Sequence, residues 1–172
     1  TQVINGNVHT NPEEFYNVVL DNSFDTGVSN NIIANGNLEV KSGRTVNVRG
    51  NDYFHVNNNF TNSGTFDIDN NGILYQVNDA GVNTGNIIMR RTANIRTQDY
   101  VYWSSPVANF ASSAVSPGTN LGYQYKWLPT TGGINQFGNW TLANETMVLG
   151  KGYCLRAPDA YSLTVPATPQ HL

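Results

Sequence analysis

The chain has 172 residues, enough for one ordinary domain or two small ones with a real core. Apolar residues make up 39% and charged residues 12%, the reverse of a disordered chain. The apolar runs are only a few residues long, too short for a membrane-spanning helix. The net charge of −3 argues against non-specific binding to nucleic acid or anionic membrane. Asparagine is the outlier: it is the commonest residue, and with 16 Gly and 7 Pro it makes a turn-rich sequence.

The first segment, residues 12–20, carries a proline, two acids and apolar spacing compatible with a helix. Its β-branched pair Val18-Val19 and the Asp21-Asn22-Ser23 that follows favour a strand. From residue 31 short alternating segments recur: Asn37-Leu38-Glu39-Val40, Thr45-Val46-Asn47-Val48, Tyr53-Phe54-His55-Val56, Thr65-Phe66-Asp67-Ile68 and Ile73-Leu74-Tyr75-Gln76-Val77. Gly and Asn punctuate them, and each has one apolar and one polar face. Hairpins in a sandwich and stacked parallel rungs of a β-solenoid both give this pattern. Asn tolerates left-handed corners and can form stacked ladders, so a parallel β-solenoid is expected for residues 1–88.

The texture changes near Met89-Arg90-Arg91. Longer aromatic strands follow at Tyr100-Val101-Tyr102-Trp103, Tyr123-Gln124-Tyr125-Lys126-Trp127 and Lys151-Gly152-Tyr153-Cys154-Leu155-Arg156, separated by irregular loops. They predict an all-β chain whose residues 89–172 form a small β-sandwich-like region that caps the solenoid and ends in a linker-like tail at Val165-Pro166-Ala167-Thr168-Pro169. The chain starts at Thr1, which suggests a removed signal peptide or a fragment.

Phe15-Tyr16-Asn17-Val18-Val19-Leu20-Asp21-Asn22 and Asn35-Gly36-Asn37-Leu38-Glu39-Val40-Lys41-Ser42-Gly43 resemble rungs of large secreted Bacteroidetes surface proteins. Residues 84–92, then Tyr100-Val101-Tyr102-Trp103-Ser104-Ser105-Pro106-Val107, with Lys126-Trp127, Asn139-Trp140 and Gly150-Lys151-Gly152-Tyr153, resemble the segment that follows those rungs. The resemblance implies export by the type IX secretion system, an extracellular or cell-surface location, and a structural, adhesive or motility-associated role. It carries no catalytic residues. The sorting domain common at the end of such proteins is not seen, which suggests a piece of a longer protein or a tail cleaved after export.

Few constellations suggest chemistry. Asp67, Asp69 and Asn71 in Asp67-Ile68-Asp69-Asn70-Asn71-Gly72 match the start of a calcium loop, making Ca²⁺ the one candidate cofactor, but the twelfth position is Asn78 rather than a bidentate Glu. An exposed strand end running into an Asn-Gly turn is the preferred reading. His9, His55 and His171 are isolated, and no nucleophile or metalloprotease motif occurs. Cys154 reads as a small core residue. Arg90, Arg91 and Arg96 read as a solvated face or as partners of Asp99. Asn59, Asn139 and Asn144 match glycosylation sequons, as chance allows in so Asn-rich a chain. Tyr123, Tyr125 and Trp127 share one strand face and Tyr100 and Tyr102 another; such rows could stack on sugar rings, although a sandwich core would use the same rows and is the preferred assignment. Trp140 is the better exposed contact.

The expected function is therefore a non-catalytic extracellular module, structural or adhesive, with a cell-surface or glycan ligand or copies of itself as partner. Self-assembly into a filament through Thr1-Gln2-Val3-Ile4 or Leu163-Thr164-Val165 is a variant of it. The alternative is a carbohydrate-binding module of a larger secreted polysaccharide-processing protein.

Overall fold

The computed structural model describes residues 2–3, 12–27, 30–133, 137–161 and 167–171. The chain forms two compact units that divide between Arg91 and Thr92.

The first unit is a parallel β-solenoid. Strand β1 (Gln2–Val3) precedes four turns of three short strands each. These are β2 (Glu13–Phe15), β3 (Val18–Leu20) and β4 (Phe24–Asp25); β5 (Ile32–Ala34), β6 (Leu38–Val40) and β7 (Thr45–Val48); β8 (Tyr53–Val56), β9 (Phe60–Asn62) and β10 (Thr65–Ile68); and β11 (Ile73–Gln76), β12 (Asn83–Thr84) and β13 (Ile88–Met89). Like strands of successive turns stack into three sheets: β2-β5-β8-β11, β1-β3-β6-β9-β12 and β4-β7-β10-β13. Every pairing in these sheets is parallel, as expected. The segment 12–20 is not one strand but two, β2 and β3, on different faces, with a corner at Tyr16-Asn17.

The register shows the repeat that the short alternations conceal. Thr45-Val46-Asn47-Val48 lies directly on Thr65-Phe66-Asp67-Ile68. Leu38 lies on Phe60, a slightly longer step along the chain. Alternation sends one set of side chains inward. Val18, Leu20, Ile32, Leu38, Val46, Phe54, Phe60, Phe66 and Ile68 are among the buried residues of the core. The third turn supplies one phenylalanine from each face. Phe54 and Phe66 meet edge-on at 5.4 Å, as do Phe66 and Phe60 at 5.1 Å, and Phe24 reaches Phe54 at 6.1 Å.

The asparagines hold the corners. At the corner after the first face, the Asn17 side-chain oxygen accepts from Asn37 N at 2.8 Å, that of Asn37 from Asn59 N at 3.1 Å, and that of Asn59 from Val82 N at 2.8 Å. Each corner amide, which no sheet ladder can satisfy, thus finds an oxygen on the turn beneath. At the corner before the first face, Asn51 and Asn71 adopt left-handed φ of 74° and 67° and stack through Asn51 N to Asn71 O at 3.1 Å. Asn37→Ala removes one acceptor of the ladder and is expected to lower stability by about 1 kcal/mol, read as a lower urea midpoint.

The outer side of the third face carries charge in an alternating column. Arg49 bridges Asp25 below it (2.9 Å from Nε) and Asp69 above it (3.1 Å), and Arg90 pairs with Asp67 at 2.6 Å. The guanidinium of Arg49 holds the Asp25 carboxyl below the usual carboxylate range. Arg91 instead donates to the carbonyls of Asp69 and Gly72.

The second unit is antiparallel. It contains β14 (Thr92–Ile95), β15 (Tyr100–Trp103), the single-turn α1 (Ser112–Val115), a 3₁₀ turn at Leu121–Tyr123, β16 (Gln124–Leu128), β17 (Asn139–Leu142), β18 (Tyr153–Arg156) and β19 (Ala167–His171). Four strands form one sheet in the order β15-β18-β16-β17, and β14 pairs with β19 in a separate two-stranded ladder. The expected sandwich-like region is thus a single four-stranded sheet with one face covered by α1 and loops. Trp103, Tyr153 and Leu155 on the sheet pack there with Val115, Ala143 and Met147.

Candidate functional site

The other face of this sheet is aromatic. Register puts Tyr102 opposite Cys154, Cys154 opposite Tyr125, and Tyr125 opposite Leu142. Trp127 and Trp140 are direct cross-strand partners, and Tyr100 lies opposite Arg156. Alternation turns these residues away from Trp103, Tyr153 and Leu155, which fill the core. The rings associate across strands: Trp127 with Trp140 at 5.3 Å, Tyr102 with Trp140 at 5.8 Å, and Tyr100 with Tyr125 at 6.3 Å. Tyr102 is 71% exposed and Trp140 37%, while Tyr125 and Trp127 are half-buried beneath the layer.

This corrects the assignment of the Tyr125 and Trp127 row to the core. The row faces outward because the inner side of β16 carries Gln124 and Lys126, whose Oε1 and Nζ find partners there, although Gln124 Nε2 finds none among the described residues. Gln124 is buried and accepts from Ser112 Oγ at 3.1 Å, and Lys126 pairs with Glu145. Tyr153 OH bonds Glu145 at 3.0 Å, accepts from Val148 N at 2.9 Å, and Lys151 stands 3.5 Å from the same carboxylate. Lys126 beside Glu145 holds its carboxyl below the ordinary carboxylate range, with Tyr153 and Lys151 assisting and burial opposing. A depressed carboxyl stabilises the fold above its unfolded-state value and loses that contribution as pH falls through its folded value. Glu145→Gln is therefore expected to be less stable than the native chain at about pH 7, with a smaller gap at about pH 3, below the ordinary carboxylate range. Urea midpoints at the two pH values check it.

Small residues make room for the rings. Cys154 is buried, as expected, and sits on the side of the sheet that carries the aromatic layer, opposite Tyr102 and Tyr125. Burial pushes its thiol pKa up, and a hydrogen bond with Tyr102 draws it partly back. Gly152, beside it, has nothing within 4 Å of where a side chain would start. Gly138 is required by the cluster itself: its φ is 106°, and a Cβ there would meet the Trp127 ring at 2.5 Å. Tyr123, in the 3₁₀ turn, lies 3.5 Å below the Arg156 guanidinium, a cation–π contact at the rim. Arg156 also pairs with Asp159.

The candidate ligand residues Tyr125, Trp127 and Trp140 thus lie on this one sheet, and Tyr123 lies in the 3₁₀ turn at its rim. Tyr100 and Tyr102, which the sequence presents as a second aromatic row on a strand of their own, join the same layer from β15. The candidate metal residues lie in the solenoid, where Asp67 is bonded to Arg90 and Asp69 to Arg49, and Asn71 forms the left-handed corner. Among the described residues no three His, Cys, Asp or Glu side chains form a group able to hold a metal ion. His55 points outward, half-buried, edge-on to Tyr75 at 5.2 Å and bonded to Asn57 at 2.8 Å. Arg96 pairs with Asp99 at 3.1 Å. His9, Thr1, Ile4 and the segment 163–165 lie outside the described residues. Among the described residues no helix is long and apolar enough to cross a membrane.

No curated protein and no solved structure matches the chain. A family model described as a domain of unknown function (DUF8693) matches residues 4–171, and the chain belongs to that family.

Proposed function

We propose that the chain is a non-catalytic, extracellular structural and adhesive module, in which a stiff solenoid carries a contact surface on a separate small sheet. The exposed aromatic layer of Tyr102, Trp140, Tyr100 and Leu142 is the observation that carries this reading. A protein gains nothing in its own stability by leaving such groups in water, and clustered exposed apolar groups mark binding surfaces. The solenoid supports the mechanical part: its core is closed on three sides, and its corners satisfy their own amides turn by turn. Export through the type IX system of a Bacteroidetes surface protein belongs to the same proposal and rests on the sequence resemblance.

A filament is the second form of this reading. β1 is an edge strand of its sheet, and β2 and β4 end the other two. Parallel edge strands of this kind are templates for another chain. Beads coated with the whole chain are expected to attach to surfaces bearing mucin, collagen or cell-wall polysaccharide, or the purified protein to form filaments under negative stain. A monodisperse protein whose beads attach to none of these surfaces contradicts both forms.

A further inference from the structure

We infer that the outer aromatic layer of the sheet is a glycan site, taking a neutral, uncharged polysaccharide chain across β15, β18, β16 and β17. The inference rests on the adhesive reading and names the ligand class it serves.

Three observations select this occupant. The first is charge. Among the described residues of this face the charged side chain is Arg156, and it is occupied by Asp159 and by the Tyr123 ring. An anionic ligand finds no uncommitted cation there, whereas a neutral sugar ring, apolar on its faces and polar at its edge, needs none. The second is size. Four strands about 4.8 Å apart span roughly 14 Å, and the four or five residues of each strand give roughly 13–17 Å. That is an area several times smaller than the ~800 Å² per partner of a stable protein interface. A second copy of the chain or a folded partner is therefore a poor fit, and a ligand a few rings long a good one.

The third is shape. The Tyr102 and Trp140 rings are tilted 45° to one another and approach across strands whose own side chain at Cys154 is small. Beside them Gly152 leaves open space. A pyranose ring seated there meets an aromatic face on more than one side. The Tyr100 hydroxyl and the indole N–H of Trp140 are hydrogen-bonding groups of the layer, while the Tyr102 hydroxyl is engaged with Cys154.

The test is affinity electrophoresis of the whole chain through native gels containing laminarin, galactomannan, dextran or starch, with alginate as the anionic comparison. Retardation by at least one neutral polysaccharide, unchanged by added salt, is expected. Tyr102→Ala should weaken it about tenfold, the loss of one stacking partner, and Tyr102→Phe should keep it. Tyr102 is exposed enough that its removal leaves the core untouched, and Trp140→Phe provides a second variant whose folding circular dichroism can confirm. No retardation by any neutral polysaccharide, retardation by alginate alone, or equal retardation of Tyr102→Ala overturns the inference. Coated beads that still attach to mucin or collagen in excess polysaccharide overturn the glycan assignment while leaving the adhesive reading standing. Beads that attach nowhere overturn the adhesive reading itself.

Discussion

Phe54→Ala is expected to cost about 3–5 kcal/mol, a large part of the stability of a domain this size. The ring is fully buried, lies on Ile32 of the turn below, and touches both Phe24 and Phe66 edge-on. Truncation leaves a cavity where the three-ring layer of the third turn was. The neighbours cannot collapse into it, because parallel pairing to the turns on either side fixes the backbone. Since a solenoid is held by nearest-neighbour turns, the loss falls on the contacts of the third turn with both the second and the fourth. Tyr75→Ala, one turn away on the outward side and 55% exposed, is expected to change stability by less than about 0.5 kcal/mol. Urea unfolding of the two variants, followed by far-ultraviolet circular dichroism, separates these outcomes.

Gly85→Ala is expected to cost about 2–3 kcal/mol, although it adds only one methyl group. Gly85 sits at a φ of 85°, where an L side chain is strained. A Cβ there would also fall inside the van der Waals envelope of the Asn62 carbonyl oxygen, which is backbone and cannot swing aside. The fourth turn must shift to admit it, loosening the short pairing of β12 with β9. Gly43, with a similar φ of 72° but open space around it, isolates the conformational part, so Gly43→Ala should cost about 1 kcal/mol. A thermal melt of both variants gives the difference.

The solenoid is legible in the sequence because its physics is local. Alternation in Thr45-Val46-Asn47-Val48 and Tyr53-Phe54-His55-Val56 states which side chains go inward, and Asn-Gly corners state where the chain turns. The repeat itself is less visible, because corner lengths vary. The step from Val18 to its partner Leu38 is shorter than the step from Phe60 to its partner Asn83. No single period therefore brings every apolar pair into line. The split of segment 12–20 into β2 and β3 is hidden for a related reason. The corner at Tyr16-Asn17 has no Gly or Pro within it, and the Gly that accommodates it, Gly36, belongs to the next turn.

The aromatic face is half legible. The sequence shows that Tyr125 and Trp127 alternate with Gln124 and Lys126, and hydrophobicity alone sends the aromatics inward. What reverses the choice is distant: Ser112 on α1 receives Gln124, and Glu145 receives Lys126. A buried amide or ammonium is acceptable only when such partners exist, and the sequence of one strand does not contain them. Tyr100 and Tyr102 follow the same logic, since Val101 and Trp103 on β15 take the inner side.

The central claim is that this outer aromatic layer is the contact surface of the module. The chain has three tryptophans, and they divide cleanly: Trp127 and Trp140 lie on the outer layer and Trp103 in the core of the same unit. The most direct measurement is the set of three indole N–H signals in a ¹H–¹⁵N spectrum, recorded as laminarin, galactomannan and dextran oligosaccharides are added in turn. One of these ligands is expected to move the Trp140 signal most and Trp127 next, with Trp103 unmoved. Signals that stay in place for every ligand, or a Trp103 signal that moves while Trp140 does not, contradict it.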